Sequence, residues 1–260
     1  MFTYTGKTAL ITGASSGIGA AFAQELGRRG MNVVLVARSE GKLRALAAEI
    51  SQKYKVQAEV IVADLNQPGA AQQIFQEVEK RTLAIDVLVN NAGLGSHGFF
   101  ETSPRERQQE QVMVNVAAVV DLSHVFMPSM LKRPGETAII NVASTAGLQP
   151  LPYMAVYGAT KAFVISFSEA LAEENRGRNL RVVALCPGAT ETPFFDTPNQ
   201  GVVVGTMRSS EQVVATGLRA LEHGRIVAVD GAQNAWLGDL HRFLPRWIVT
   251  RISGQMMRPH

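Results

Sequence analysis

Thr8-Ala9-Leu10-Ile11-Thr12-Gly13-Ala14-Ser15-Ser16-Gly17-Ile18-Gly19 runs directly into Ala20-Ala21-Phe22-Ala23-Gln24-Glu25-Leu26. Residues 8–11 read as a short buried strand and 20–26 as helix, so three glycines fall where strand gives way to helix. At such a turn Gly13 permits the tight bend, Gly17 lets the backbone approach a pyrophosphate, and Gly19 lets the helix pack closely on the sheet. The free amides of the first helical turn then face an anion. Glycines that merely make the turn are the plainer alternative; the strand and helix on either side favour dinucleotide binding.

The same alternation continues outward. Val33-Val34-Leu35-Val36 reads as strand and 40–51 as helix; 56–62 and 70–80 form a third pair, and Val87-Leu88-Val89 with a long helix over about 104–130 a fourth. Ala138-Ile139-Ile140-Asn141-Val142, the helix bearing Tyr157, Val182-Val183-Ala184-Leu185, a helix over 211–221 and Ile226-Val227-Ala228-Val229 complete the series. Short, continuously apolar strands alternating with helices are buried on both faces. The expected fold is α/β, a doubly wound parallel sheet of about seven strands with helices on both faces. One domain spanning 1–260 suffices, because no linker or low-complexity run divides the chain and its 46% hydrophobic residues are ample for a core. From 187 to 209 the pattern breaks into Pro, Gly, Thr and Phe. A loop of about twenty residues is too long for a simple connection and reads as a cover over a substrate site.

Bulk chemistry excludes several classes of function. The formal charge of +3 and pI of 9.2 are mildly basic, but the 25 Lys and Arg are scattered, which argues against nucleic acid. The single cysteine, Cys186, excludes an internal disulfide and any multi-cysteine metal site. Its apolar surroundings suit a buried thiol in a reducing, cytoplasmic setting. No cluster of His, Cys, Asp or Glu has metal-ligand spacing, so no metal is expected. Residues 1–7 lead into the first strand without an apolar leader. No run of about 18 uninterrupted apolar residues occurs, so no membrane-spanning helix is expected.

Tyr157 and Lys161 stand four apart in the helical stretch Tyr157-Gly158-Ala159-Thr160-Lys161 and therefore share one face. An ammonium beside a phenol favours the phenolate; moving a phenol from pH ~10 to near neutrality takes about 4 kcal/mol. Such a pair arises by chance on many helix surfaces and gains meaning from Asn90-Asn91-Ala92-Gly93, Asn115 and Ser144 upstream. The second strand ends Val36-Ala37-Arg38. A carboxylate there would bind a ribose 2′-hydroxyl and repel a 2′-phosphate. Arg38 instead pairs with that phosphate through a charge-assisted fork, which points to NADP(H), the alternative being a solvated arginine at a helix start. Asp64 and Leu65, after the third strand, are placed to reach the adenine edge, or Asp64 caps the following helix.

Assembled, these motifs closely resemble those of the classical short-chain dehydrogenase/reductase family over about residues 7–229. Thr12-Gly13-Ala14-Ser15-Ser16-Gly17-Ile18-Gly19 resembles the family's cofactor motif, and Asn90-Asn91-Ala92-Gly93 its motif after the fourth strand. Ser144 stands thirteen before Tyr157, and Pro187-Gly188 follows the sixth strand. The resemblance implies a Rossmann-type fold and an oxidoreductase that transfers hydride between NADP(H) and a carbonyl or alcohol. Tyr157 would be the acid or base, Lys161 would lower its pKa and bind the nicotinamide ribose, and Ser144 would hold the substrate oxygen. Asn115 would hold a water linking Lys161 to solvent, or be an ordinary buried amide. Thr190 and Thr192 would contact the carboxamide or phosphates. A catalytically silent NADP(H)-binding sensor is the rival reading; a pure sensor needs no poised phenol.

The candidate pocket residues are apolar: Phe99, Phe100, residues 148–154, Phe194, Phe195 and residues 202–207. A lipophilic ketone or aldehyde fits such walls. His97 lies nearby and reads as a loop residue. Residues 231–260 depart from the family pattern as an atypical helical tail, with Trp236, Leu240, Phe243, Leu244, Trp247, Ile248 and Ile252 at helical spacing, arginines between them, and Pro245 interrupting any single helix. Packing within the protein is favoured for this tail over a subunit contact or peripheral membrane contact. The family's dimers and tetramers lead to an expected homo-oligomer.

Overall fold

The structure is a computed structural model describing residues 2–194, 207–240 and 245–259, with the side chains of 237–240 left aside. Phe195, Val202 to Thr206, Phe243 and Leu244, and the side chain of Leu240, lie outside the described residues.

Consecutive apolar residues in an extended strand point alternately to opposite faces, so each strand here must be covered twice. In β1 (Thr8–Thr12), Leu10 enters one core while Ala9 and Ile11 enter the other. β2 (Asn32–Ala37), β3 (Ala58–Val62), β4 (Val87–Asn90), β5 (Thr137–Val142), β6 (Leu180–Cys186) and β7 (Val227–Val229) follow the same rule. Together they form one parallel sheet in the order β3-β2-β1-β4-β5-β6-β7. The helices are α1 (Gly17–Arg28), α2 (Glu40–Tyr54), α3 (Ala70–Lys80), α4 (Arg105–Val112), α5 (Ala118–Leu131), α6 (Ala155–Glu174), α7 (Ser210–Glu222), α8 (Ala232–Leu240) and α9 (Arg246–Met257). Phe22, Leu26, Ile50 and Leu218 from α1, α2 and α7 cover one face; Ile74, Leu122 and Phe126 from α3 and α5 cover the other. The expected doubly wound sheet is therefore present.

Beyond shifts of a few residues at element ends, two departures from expectation have a visible cause. β3 begins at Ala58 because Lys55 takes a left-handed backbone at φ 60°, ending α2, and the Gln57 amide is claimed by the Asn32 carboxamide at 2.9 Å. The long helix expected over 104–130 is α4, a π-helical turn at Met113–Ala117, and α5. Taken as one 27-residue segment it is long and apolar enough to cross a membrane, contrary to expectation; Val114, Leu122 and Phe126 nonetheless pack in the core.

A buried polar ladder sets α6 on the sheet. Asn90 and Asn141 are neighbours across β4 and β5. Asn90 Nδ2 donates to Asn141 Oδ1 at 2.9 Å, Asn141 Nδ2 to Ser168 Oγ at 2.9 Å, and Ser168 Oγ to the Val164 carbonyl at 2.7 Å. Buried polar groups deprived of partners cost about 1–3 kcal/mol each. Asn141→Ala removes one bond each from Asn90 and Ser168, which keep Ser123 and the Val164 carbonyl as partners, so urea unfolding is expected to show a loss of about 1–3 kcal/mol.

Candidate active site

Strand order reverses between β1 and β4, and the crevice this opens at their carboxyl ends leads into a cavity of about 1020 Å³. Gly13, Ser15, Ser16, Gly17 and Ile18 line it, as do Arg38, Asp64, Leu65, Asn91, Ala92 and Gly93. Pro187, Gly188, Thr190 and Thr192 lie in its wall, and Ser144, Tyr157 and Lys161 complete it. The expected residues are thus brought together from seven separate segments, with two exceptions.

Gly19 is the first, and it acts by packing. A Cβ there would stand 2.3 Å from the Gly13 carbonyl and 2.5 Å from Asn91 Nδ2, which no side chain tolerates. Asn115 is the second. Its Oδ1 accepts the Leu94 amide at 3.0 Å, and its Nδ2 donates to the Leu94 carbonyl at 2.9 Å and to Thr160 Oγ1 at 3.1 Å. Both ends of the amide are bonded to protein, and these bonds pin the segment after β4 against α6.

The glycine turn fits a diphosphate. Gly13 and Gly17 have φ of 65° and 54°, the left-handed region that favours glycine. Ser16 precedes α1 in extended conformation and makes no side-chain cap, leaving the first amides of the helix facing the cavity. Thr192 closes this end from above: a Cβ on Gly17 would meet its Cγ2 at 2.9 Å. Asp64 caps no helix. Its Oδ1 accepts the Asn66 amide at 3.1 Å, α3 starts later at Ala70, and Asp64 stays with Leu65 on the cavity wall.

At the other end the phenol and the ammonium share a face of α6, but the expected acidification is not found. Lys161 Nζ lies 5.8 Å from the Tyr157 ring centroid and donates instead to the Val142 carbonyl at 2.8 Å. Burial pushes the Tyr157 phenol up; the opposing influence is its hydrogen bond with Ser144. Burial also pulls Lys161 down to about 8, which weakens the charge meant to do the acidifying. Ser144 Oγ accepts the Ala146 amide at 3.1 Å, which fixes it at the start of the turn after β5. The Cys186 thiol, pushed up to about 12 by burial, is no nucleophile.

The substrate end is partly as expected. Leu148, Leu151, Met154 and Phe194 line the cavity, with the Phe194 ring 5.7 Å from that of Tyr157. Phe99 and Phe100 do not: they sit in an exposed turn, Phe99 edge-on to Tyr153 at 5.2 Å. His97 Nε2 bonds the Met257 carbonyl at 2.7 Å, outside the cavity. α9 packs within the protein: Val249, Ser253 and Met257 are buried, Gln149 Nε2 donates to Ser253 Oγ at 3.2 Å, and Ile252 and Met256 reach the cavity rim. Glu110, Arg107 and Ser253 also line the cavity and carry no motif by which the sequence could have announced them.

Residues 7–202 match the short chain dehydrogenase family, and the chain belongs to it. It is therefore an oxidoreductase that transfers hydride between a nicotinamide cofactor and a carbonyl or alcohol. A very-long-chain 3-oxoacyl-CoA reductase of Homo sapiens is 30% identical to it over 96% of this chain and 80% of the relative. A short-chain dehydrogenase from Sphingobium yanoikuyae, solved in complex with NADPH, is similar at TM-score 0.82 and 31% identity, covering 98% of this chain and 96% of that one. A bulky-bulky ketone specific alcohol dehydrogenase from Comamonas testosteroni follows at TM-score 0.78 and 31% identity, with 98% and 95% covered.

Lys161 gives a pH test. The unfolded chain keeps its proton to about pH 10, whereas the folded chain releases it from about 8. Between those values the unfolded state binds more protons, so this group's contribution to stability improves as pH rises. The stability of Lys161→Met relative to the native sequence, read by urea unfolding, is expected to be greatest near pH 7 and to decline by about pH 9.5. A difference that does not change with pH would refute the buried-charge account.

Proposed function

We propose that the protein is an NADP(H)-dependent carbonyl reductase or alcohol dehydrogenase acting on a lipophilic ketone or aldehyde. The observation that carries it is one cavity with the glycine turn and Arg38 at one end and Ser144, Tyr157 and Lys161 among apolar side chains at the other. Arg38 supports the 2′-phosphate reading, since it follows β2 and lines the cavity with its side chain 68% exposed, able to fork onto a phosphate. Leu148, Leu151, Met154, Phe194 and α9's Val249 and Met257 support a lipophilic substrate. So do the substrates named for two similar proteins, a very-long-chain 3-oxoacyl thioester and a bulky ketone. A cytoplasmic, homo-oligomeric enzyme is part of this proposal; the buried Cys186 thiol suits the compartment.

A bound nicotinamide would supply the hydride for reduction and accept it in oxidation. The chain's own groups handle the proton. The Tyr157 hydroxyl, kept protonated by burial, gives its proton to the carbonyl oxygen; in the reverse direction its phenolate takes the alcohol proton. Ser144 hydrogen-bonds both Tyr157 and the substrate oxygen, fixing where that oxygen sits. Lys161, held by the Val142 carbonyl beside Gly93, would bind the nicotinamide ribose.

Tyr157→Phe is expected to abolish turnover in an NADPH-oxidation assay across a carbonyl panel while leaving NADPH binding intact; activity within a few-fold of the native sequence would overturn Tyr157 as the proton donor. Arg38→Asp should weaken NADPH far more than NADH, and an unchanged preference would overturn the 2′-phosphate reading. Reproducible NADPH binding without turnover of any carbonyl would favour the sensor.

A further inference from the structure

We infer that Glu110 sets how strongly the protein prefers a 2′-phosphorylated cofactor, an inference that rests on the reading of Arg38 above. Arg38 follows β2 and Glu110 projects from α4 on the facing wall; both line the cavity, and Arg38 Nη1 stands 3.7 Å from Glu110 Oε1 across it. The second carboxylate oxygen is held by Arg107, whose Nη1 donates to Glu110 Oε2 at 2.7 Å while its Nη2 donates to the Gly95 carbonyl at 3.2 Å. Glu110 is the better anchored of the pair, its side chain 20% exposed against 68% for Arg38.

Two anions then compete for one guanidinium. A phosphate monoester that pairs with Arg38 must displace Glu110 from it and stay within a few ångströms of that carboxylate. NADH carries no 2′-phosphate and leaves the Arg38–Glu110 pair unchallenged. Glu110 therefore tempers the preference that Arg38 confers, and Arg107 limits the tempering by neutralising part of the carboxylate's charge. Removing Glu110 and removing Arg107 should consequently act in opposite directions, which no shared structural role predicts.

The test is fluorescence titration of the whole protein with NADPH and with NADH. Glu110→Gln is expected to tighten NADPH roughly three- to ten-fold, the scale of one removed charge a few ångströms from a phosphate at the surface, with NADH within about two-fold. The gain should shrink at 1 M salt, where screening acts within about 3 Å. Arg107→Gln is expected to lower the NADPH:NADH preference by about two-fold or more, since the whole carboxylate charge then competes for Arg38. In an Arg38→Ala background the effect of Glu110→Gln should shrink, since only the direct repulsion between carboxylate and phosphate is left. An unchanged preference in Glu110→Gln, a shift of the same sign in both variants, or a gain undiminished by Arg38→Ala would overturn the inference. If Glu110→Gln does not fold, Arg107→Gln is compared in the native and Arg38→Ala backgrounds, and a drop in preference of equal size in both would overturn the inference. Equal preference in the native protein and Arg38→Ala would instead overturn the NADP(H) reading itself.

Discussion

The Thr12 hydroxyl holds the crevice open in the right shape. It accepts the amides of Asn91 and Ala92 at 3.0 and 3.1 Å and faces the Val89 carbonyl at 3.3 Å, so one side chain at the end of β1 organises the backbone leaving β4. Asn91 returns the contact, its Nδ2 donating to the Thr12 carbonyl at 2.8 Å. These bonds bridge the two strands at which the sheet order reverses, where helices and loops diverge to either side. Neither strand alone could satisfy its last polar groups in a buried place, and the exchange removes that penalty. Because Asn91 also fills the space a side chain at Gly13 or Gly19 would need, the shape of the phosphate end follows from the same bonds.

Lys161 sits in tension with this frame. An amine almost wholly removed from water lowers stability unless partners compensate, and among the described residues a carbonyl and no carboxylate receives it. Sites that do chemistry commonly retain such costs, the surrounding structure making up the difference. That surrounding structure is visible: the Asn90–Asn141–Ser168 ladder fixes α6 to the sheet, and Asn115 fixes the segment after β4 to Thr160, one residue before the lysine.

How much of this was legible in the sequence depends on which atoms do the work. Strand runs and the glycine turn were readable because they rest on local rules: the burial of both strand faces and backbone angles that glycine favours. Tyr157 and Lys161 were readable as a pair because helical spacing fixes their face. Their electrostatics was not, since whether Nζ turns to the phenol or to the Val142 carbonyl is set by β5, a partner distant in sequence. The contacts of Asn115 were hidden for a related reason. A π-helical turn adds a residue to the helical repeat and re-aims the side chains it carries, and the sequence shows only an apolar helix there. Glu110 and Arg107 look like ordinary exposed helix charges until the fold brings α4 opposite the end of β2.

The two ends of the cavity therefore obey different constraints. At the phosphate end recognition falls to backbone amides and to glycines whose replacement would collide with Gly13, Asn91 or Thr192, so few sequences can build it and a motif betrays it. At the substrate end the walls are side chains from the turn after β5, from Phe194 and from α9, held by contacts such as Gln149 to Ser253 that other residue pairs could replace with equal packing. Apolar walls of this kind tolerate exchange of shape at modest cost. It follows that a chain can keep the hydride chemistry of its family while its substrate changes with a few residues of the tail. In this protein the buried face of α9 bearing Val249, Ser253 and Met257 is part of that exchangeable wall.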